Sequence, residues 1–178
     1  IEAAIEAGVQ ILTLFAFSTD NWNRPDMEVA SLMSLLRHYA RKERDTLNRQ
    51  GVEVHILGDM ERFDKQTRDA VGLIVDGTKG GSALRLNLMI SYGGREEILR
   101  SVKTLAEQVA RGEVTADSID EKAFRRTLFT VSLPDPDLLI RTSGEYRLSN
   151  FMIWQLAYTE LYITPVLWPD FNRNNLFE

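Results

Sequence analysis

Between Arg141 and Asn150 the chain sets two guanidiniums, Arg141 and Arg147, around a Thr142-Ser143-Gly144 turn and then reaches Ser149 ahead of the apolar stretch Phe151-Met152-Ile153-Trp154. Fork-shaped Arg donors match phosphate oxygens, and a helix opening at Ser149 would add free N–H groups and the positive end of its dipole. A diphosphate suits such a set better than a single carboxylate. The same residues allow a plainer reading, in which Ser149 only caps the helix and both arginines pair with surface acids such as Glu145. Spacing leaves both readings open.

Glu160 follows in Tyr158-Thr159-Glu160-Leu161-Tyr162, among aromatic and aliphatic neighbours. Buried in that company, a carboxylate needs a partner or a cation, and a salt bridge to a nearby Arg is the favoured expectation. Ser18 to Pro25 (Ser-Thr-Asp-Asn-Trp-Asn-Arg-Pro) concentrates hydroxyl, acid, amide, indole and guanidinium on one connection. This suits a pocket for a charged head and an apolar body, or else a turn that caps the next helix while Trp22 fills core. Gly93-Gly94-Arg95 is neither a dinucleotide fingerprint nor a P-loop, and reads as a tight turn or a close backbone approach. His38 and His55 have no partner at metal-ligand spacing and read as structural or surface residues. Asp59, after Gly58, is the one modest candidate for a hydrolase nucleophile, and a turn or cap role suits it better.

These segments need elements to hold them. Apolar runs rich in β-branched and aromatic residues recur at Val9–Phe17, Val52–Leu57, Leu84–Ile90 and Leu138–Ile140, the pattern of buried parallel strands. Between them, Val29, Leu32, Met33, Leu36 and Ala40 take helical spacing, as do Ile98, Val102, Leu105 and Val109. Pro25 marks the start of the first of these helices and Gln50-Gly51 its end, while Ile1 to Gly8 reads as the last turns of another. Strands alternating with helices predict an α/β fold, a mostly parallel sheet flanked by helices on both faces, in one domain over residues 1–178. Ligands then gather at the carboxyl ends of the strands, where Ser18, Gly58, Tyr92 and Arg141 fall.

Composition narrows the classes. The 178 residues are 44% hydrophobic and 26% charged, ordinary for a globular domain. With 21 Lys and Arg against 26 Asp and Glu the net charge is −5, so no global basic field draws nucleic acid, and an acidic ligand must rely on local arginines. The absence of cysteine removes thiolate chemistry, disulfides and Cys-based metal sites.

Taken together, Phe17 to Pro25, Tyr92-Gly93-Gly94-Arg95, Pro136 to Glu145, and Ser149-Asn150-Phe151 through Trp154 to Tyr162 resemble the cis-prenyltransferase family, in particular its bacterial undecaprenyl diphosphate synthase branch. The resemblance runs in order along essentially the whole chain to Trp168-Pro169-Asp170-Phe171. It implies a transferase that condenses isopentenyl diphosphate onto an allylic diphosphate such as farnesyl diphosphate with Mg2+, making a Z-polyprenyl diphosphate that serves as carrier lipid for cell-wall synthesis. It further implies a cytoplasmic homodimer, peripheral at the membrane that receives the product. Carried over motif by motif, Arg141, Arg147 and Ser149 would bind the diphosphate of isopentenyl diphosphate with Leu148 among the substrate contacts. Glu160 would be a magnesium ligand, Asn21 the residue in the proton-acceptor position, and Ser18, Thr19, Asp20, Trp22 and Arg24 substrate contacts. An Asn amide is a poor base, so Asn21 is expected to orient a relay through a hydroxyl such as Ser18 or a phosphate oxygen. The helix from Met27 to Asn48 would wall a tunnel for the growing chain, unless its apolar stripe is ordinary core.

Ser91 stands where the family commonly has Asn, and Asp20 where it has Glu. The family's Asp-Gly-Asn-Gly-Arg segment and its C-terminal basic stretch have no counterpart here, so the expectation is little synthase activity from these residues alone. Two other classes remain: a non-catalytic prenyltransferase-like subunit that binds isoprenoid or a partner, and an unrelated phosphate-binding α/β enzyme.

Overall fold

β3 (Leu84–Tyr92) is the most deeply buried strand, and the register explains why: it lies between β1 (Ile11–Ser18) and β2 (Val52–Leu57), parallel to both. The computed structural model describes residues 1–178. Each strand is reached through a helical crossover, α2 (Asp26–Arg49) from β1 to β2 and α3 (Lys65–Gly77) from β2 to β3. Val52, Val54, Leu84 and Leu86 on one face of the sheet meet Ala4 of α1 (Glu2–Glu6), Ala40 and Leu47 of α2, and Ala70 and Ile74 of α3. Small alanines on the helices let backbone approach the sheet while the branched strand residues fill the gap.

Local chemistry sets the element ends. Pro25 precedes the first helical residue of α2, which stops before Gly51 at φ 68°. Asp64 caps α3 by accepting the Thr67 N–H at 2.7 Å. The Gly77 to Ser82 connector, the loosest segment by composition, is tied down at Thr78, whose buried hydroxyl donates to Ile74 O (2.7 Å) and accepts from Val54 N–H (3.1 Å).

The chain divides into two compact units, Ile1–Tyr92 with Asn172–Glu178, and Gly93–Phe171. In the first, α6 (Arg173–Leu176) returns to α1 through an Arg173–Glu6 ion pair. The second holds α4 (Gly94–Ala110), α5 (Glu121–Arg125) and a separate parallel pair, β4 (Leu138–Arg141) with β5 (Glu160–Ile163). Every strand pairing is parallel, as the patterns predict, but the hydrogen bonds form two sheets, and β5 lies just past the expected helix, where the patterns mark no element. On α4 the buried line runs Glu97, Ser101, Leu105, and Val102 of the predicted apolar face is exposed.

The largest departure is at Ser149 to Tyr158, predicted as a helix and found as successive turns. Ser149 (φ 51°), Asn150 (64°) and Met152 (41°) occupy positive φ, which an α-helix excludes. Asn150 accounts for this locally. Its carbonyl accepts Gly94 N–H (2.7 Å), its Oδ1 accepts Arg95 N–H (2.9 Å) and its Nδ2 donates to Glu96 Oε2 (2.9 Å). The first turn of α4 thus takes its cap from Asn150 in place of a ligand. A Cβ on Gly94 would sit 2.8 Å from the Ile153 side chain, so Gly93-Gly94 serves a close approach to the chain's own backbone.

Candidate active site

The candidate residues fall into two groups, one in each unit. In the first unit β1 ends with two register irregularities, between Phe15 and Phe17 and between Phe17 and Ser18. Such bulges re-aim side chains, and here Phe17 is buried while Ser18 pairs with Tyr92 at the carboxyl edge. A 3-10 helix over Thr19–Asn23 follows, closed by the Ser18 N–H donating to Asn21 Oδ1 at 2.9 Å. That bond holds the Asn21 amide, which has no basic lone pair to take a proton. Thr19 Oγ1 is buried and has no hydrogen-bond partner. Asp20 is exposed, and Arg24 pairs with Glu28 one turn into α2.

Trp22 is gripped from several sides. Its ring packs at 5.1 Å from both Phe17 and Phe63, the Arg62 guanidinium lies 4.7 Å over it, and its Nε1–H donates to Ser91 Oγ at 2.9 Å. Trp22, Val29, Met33, Phe63 and Arg62 line a cleft of about 360 Å³ whose rim carries Arg37 and Asp64. Trp22 therefore both packs with Phe17 and Phe63 and lines this cleft. The stripe Val29, Leu32, Met33, Leu36 packs with Phe17, Phe63 and Ile90, so these side chains are largely committed to protein core. Arg62 had no sequence signal, since only the fold brings its loop to Trp22. Asp59 takes the turn role, with Oδ1 accepting Glu61 N–H at 2.9 Å. His55 lies 3.1 Å from Glu53 and His38 stacks edge-on against Tyr39.

In the second unit Arg141 closes β4, and its Nη2 reaches Ser149 Oγ at 3.3 Å. The Arg141 Nε is buried without a partner, a donor with no acceptor. Arg147 is exposed and pairs with Glu145 at 2.8 Å, which fulfils the plainer expectation for that residue. Leu148 is partly buried, and its carbonyl accepts Phe151 N–H. With no helix at Ser149, the expected helix-dipole contribution to an anion site is absent, and two guanidiniums and a hydroxyl remain.

Glu160 corrects the sequence reading twice. It is exposed, so no burial cost calls for a partner, and it forms no salt bridge. In the β4–β5 register Leu138 faces Glu160 and Arg141 faces Ile163, so Glu160 starts one strand while Arg141 ends its neighbour. Three residues of strand separate them, about 10 Å along the sheet. Glu160 shares a cleft with Asp135, Asp137 and Gln155, where Asp135 is held by a two-pronged bond from Arg125 (2.8 and 2.9 Å), which raises the Arg125 pKa above its usual value. No group of three or more ligand-type side chains could hold a metal ion. The donor set does not by itself build a magnesium centre at Arg141 and Ser149.

The family model described as putative undecaprenyl diphosphate synthase matches residues 1–178. The chain belongs to that family, the cis-prenyltransferases. The isoprenyl transferase of Clostridium perfringens is 45% identical over 169 residues, covering 95% of this chain and 67% of the relative. Among solved structures, lavandulyl diphosphate synthase from Lavandula x intermedia, crystallised with dimethylallyl diphosphate, superposes with a TM-score of 0.94 at 37% identity, over 99% of this chain and 76% of that one. A probable undecaprenyl diphosphate synthase from Campylobacter jejuni gives 0.84 at 32% identity, over 99% and 80%. Membership in this family of enzymes makes prenyl transfer the chemistry against which both groups of residues are read. No helix is long and apolar enough to cross a membrane.

Proposed function

We propose that the protein condenses isopentenyl diphosphate with an allylic diphosphate, farnesyl diphosphate, to extend a Z-polyprenyl diphosphate of the undecaprenyl class. The observation that carries the residue assignment is Arg141, whose buried Nε lacks an acceptor while Nη2 already holds Ser149. A diphosphate oxygen supplies that acceptor, and Arg147 adds a second fork once it leaves Glu145, a solvent-exposed pairing that costs little to break. Leu148, between Arg147 and Ser149, packs against the isoprenoid side of the ligand.

Ser18, Thr19, Asp20, Asn21, Trp22 and Arg24 form the second set of substrate contacts, supported by the unpartnered Thr19 hydroxyl and the cleft beside Trp22. Asn21, fixed by Ser18 N–H, orients a hydroxyl or phosphate oxygen that takes the proton released when the new double bond forms. Guanidiniums in place before reaction stabilise the charge that gathers on the departing diphosphate. Mg2+ would belong to the proposal as the counter-ion of the diphosphates, adding positive charge beside the guanidiniums of Arg141 and Arg147. The same reading makes the protein a cytoplasmic homodimer, peripheral at the membrane that takes the product. Exposed Leu161, Leu167 and Trp168 supply apolar surface for a second copy.

Titration calorimetry with isopentenyl diphosphate and Mg2+ tests the assignment. Arg141→Ala should weaken binding about 10- to 100-fold, the range for losing charge-assisted bonds, while Asp59→Ala binds like the parent. Equal affinity in Arg141→Ala and parent, or a loss in Asp59→Ala, would sink it.

A further inference from the structure

Ser91 is 1% exposed and holds φ 52°, a left-handed conformation that a serine keeps only when its surroundings impose it. Two contacts impose it. Behind, Gly58 packs so tightly against Ile90 that a Cβ there would lie 2.1 Å from the Ile90 carbonyl oxygen, and Asp59 N–H donates to Ser91 O at 3.2 Å. In front, Ser91 Oγ accepts the Trp22 indole N–H at 2.9 Å. The end of β2 thus clamps the backbone of β3, and the side chain that results grips the Trp22 indole of the Thr19–Asn23 turn. Phe17 and Phe63 bracket the ring, but their contacts are non-directional, and only the Ser91 bond fixes how the indole is rotated in its slot.

We propose that Ser91 is a positioning residue: through the Trp22 indole it holds the Ser18–Arg24 segment in the arrangement that takes a prenyl diphosphate, and so tunes affinity without touching the ligand. This rests on the reading of Ser18–Arg24 as substrate contacts. Arg62, whose guanidinium lies over the indole, covers one face of the ring.

The test separates backbone from hydroxyl. Ser91→Gly keeps the positive φ at no steric cost and removes the acceptor, and Trp22→Phe removes the donor together with part of the ring's packing on Phe17 and Phe63. In 15N-labelled protein, Ser91→Gly should speed hydrogen exchange at the Trp22 indole about fivefold or more, the scale of one lost hydrogen bond. Calorimetry with farnesyl diphosphate and Mg2+ should show Ser91→Gly weakened about fivefold, at a melting temperature close to the parent's, and Trp22→Phe weakened at least as much. The double variant should be no weaker than Trp22→Phe alone, because Ser91→Gly removes a bond that Trp22→Phe has already removed. Unchanged indole exchange, parent-like affinity in Ser91→Gly, or additive losses overturn the proposal. Arg24→Ala distinguishes its failure from that of the underlying reading: parent-like affinity there means the segment is not a substrate contact, and both fall together.

Discussion

Arg147 and Glu145 form an exposed pair, whose contribution to folding should be small whatever the arginine does for a ligand. Arg147→Ala is expected to change unfolding free energy by less than about 0.5 kcal/mol in urea titration, while isopentenyl diphosphate affinity falls about tenfold. A large stability loss would show that the pair is structural. Asp64 behaves differently. The Thr67 N–H, and the Thr67 hydroxyl after it, hold its carboxyl below the usual carboxylate range. A depressed folded pKa gives stability that is complete above the unfolded pKa, about 4, and disappears as pH falls through the lower folded value. Asp64→Ala should therefore melt below the parent at pH 7, and the gap should narrow below pH ~4 as the parent's carboxyl gains its proton. Asp64→Asn keeps an acceptor at the cap and should retain most of the stability. A gap that does not vary with pH would rule out the charged cap. For Glu160 the register predicts that Glu160→Gln affects isopentenyl diphosphate binding less than Arg141→Ala does, because the carboxylate begins β5 while the guanidinium ends β4. Calorimetry in Mg2+ decides it, and an equal loss would place Glu160 at the same ligand.

Among the elements, β3 carries the most consequence. Leu86 is 2% exposed and packs into the α1, α2 and α3 face, so Leu86→Ala should cost about 3 kcal/mol in urea titration, mostly as an unfilled cavity. Gly58→Ala should cost about as much for the opposite reason. Its Cβ would collide with the Ile90 carbonyl at 2.1 Å, backbone cannot swing aside, and φ 135° disfavours any side chain. The Trp22 indole resonance should move with it, since Gly58 braces the residue that holds Trp22; an unmoved resonance would uncouple β2 from the segment. Pro25 and Gly51 marked element ends correctly because helix starts and positive-φ stops act within a few residues. Periodicity on α4 was less faithful. Val102 fits the apolar spacing yet is exposed, whereas Glu97 is buried because its carboxylate accepts Phe129 N–H (2.8 Å) and a Gln155 Nε2 bond (3.0 Å) supplied by distant chain.

For the molecule as a whole, a net charge of −5 says little about a diphosphate ligand when three candidate arginines sit on two strand exits. Chelating Mg2+ is expected to weaken isopentenyl diphosphate binding in parent and Glu160→Gln alike, and insensitivity to chelation in both would remove the metal from the proposal. The sequence by itself determined the α/β class, the parallel strands and the family, because strand runs, caps and contiguous motifs are local and survive in one dimension. It also determined which arginines and hydroxyls stand at the carboxyl ends of strands. Only the tertiary structure decided that Ser149 to Tyr158 turns instead of coiling, since Asn150 binds Gly94, Arg95 and Glu96 more than fifty positions away. It alone separated Glu160 from Arg141, through a register that no periodicity encodes. And it joined Ser91 to Trp22 across 69 positions, because the bond depends on how β1, β2 and β3 align and not on any spacing along the chain.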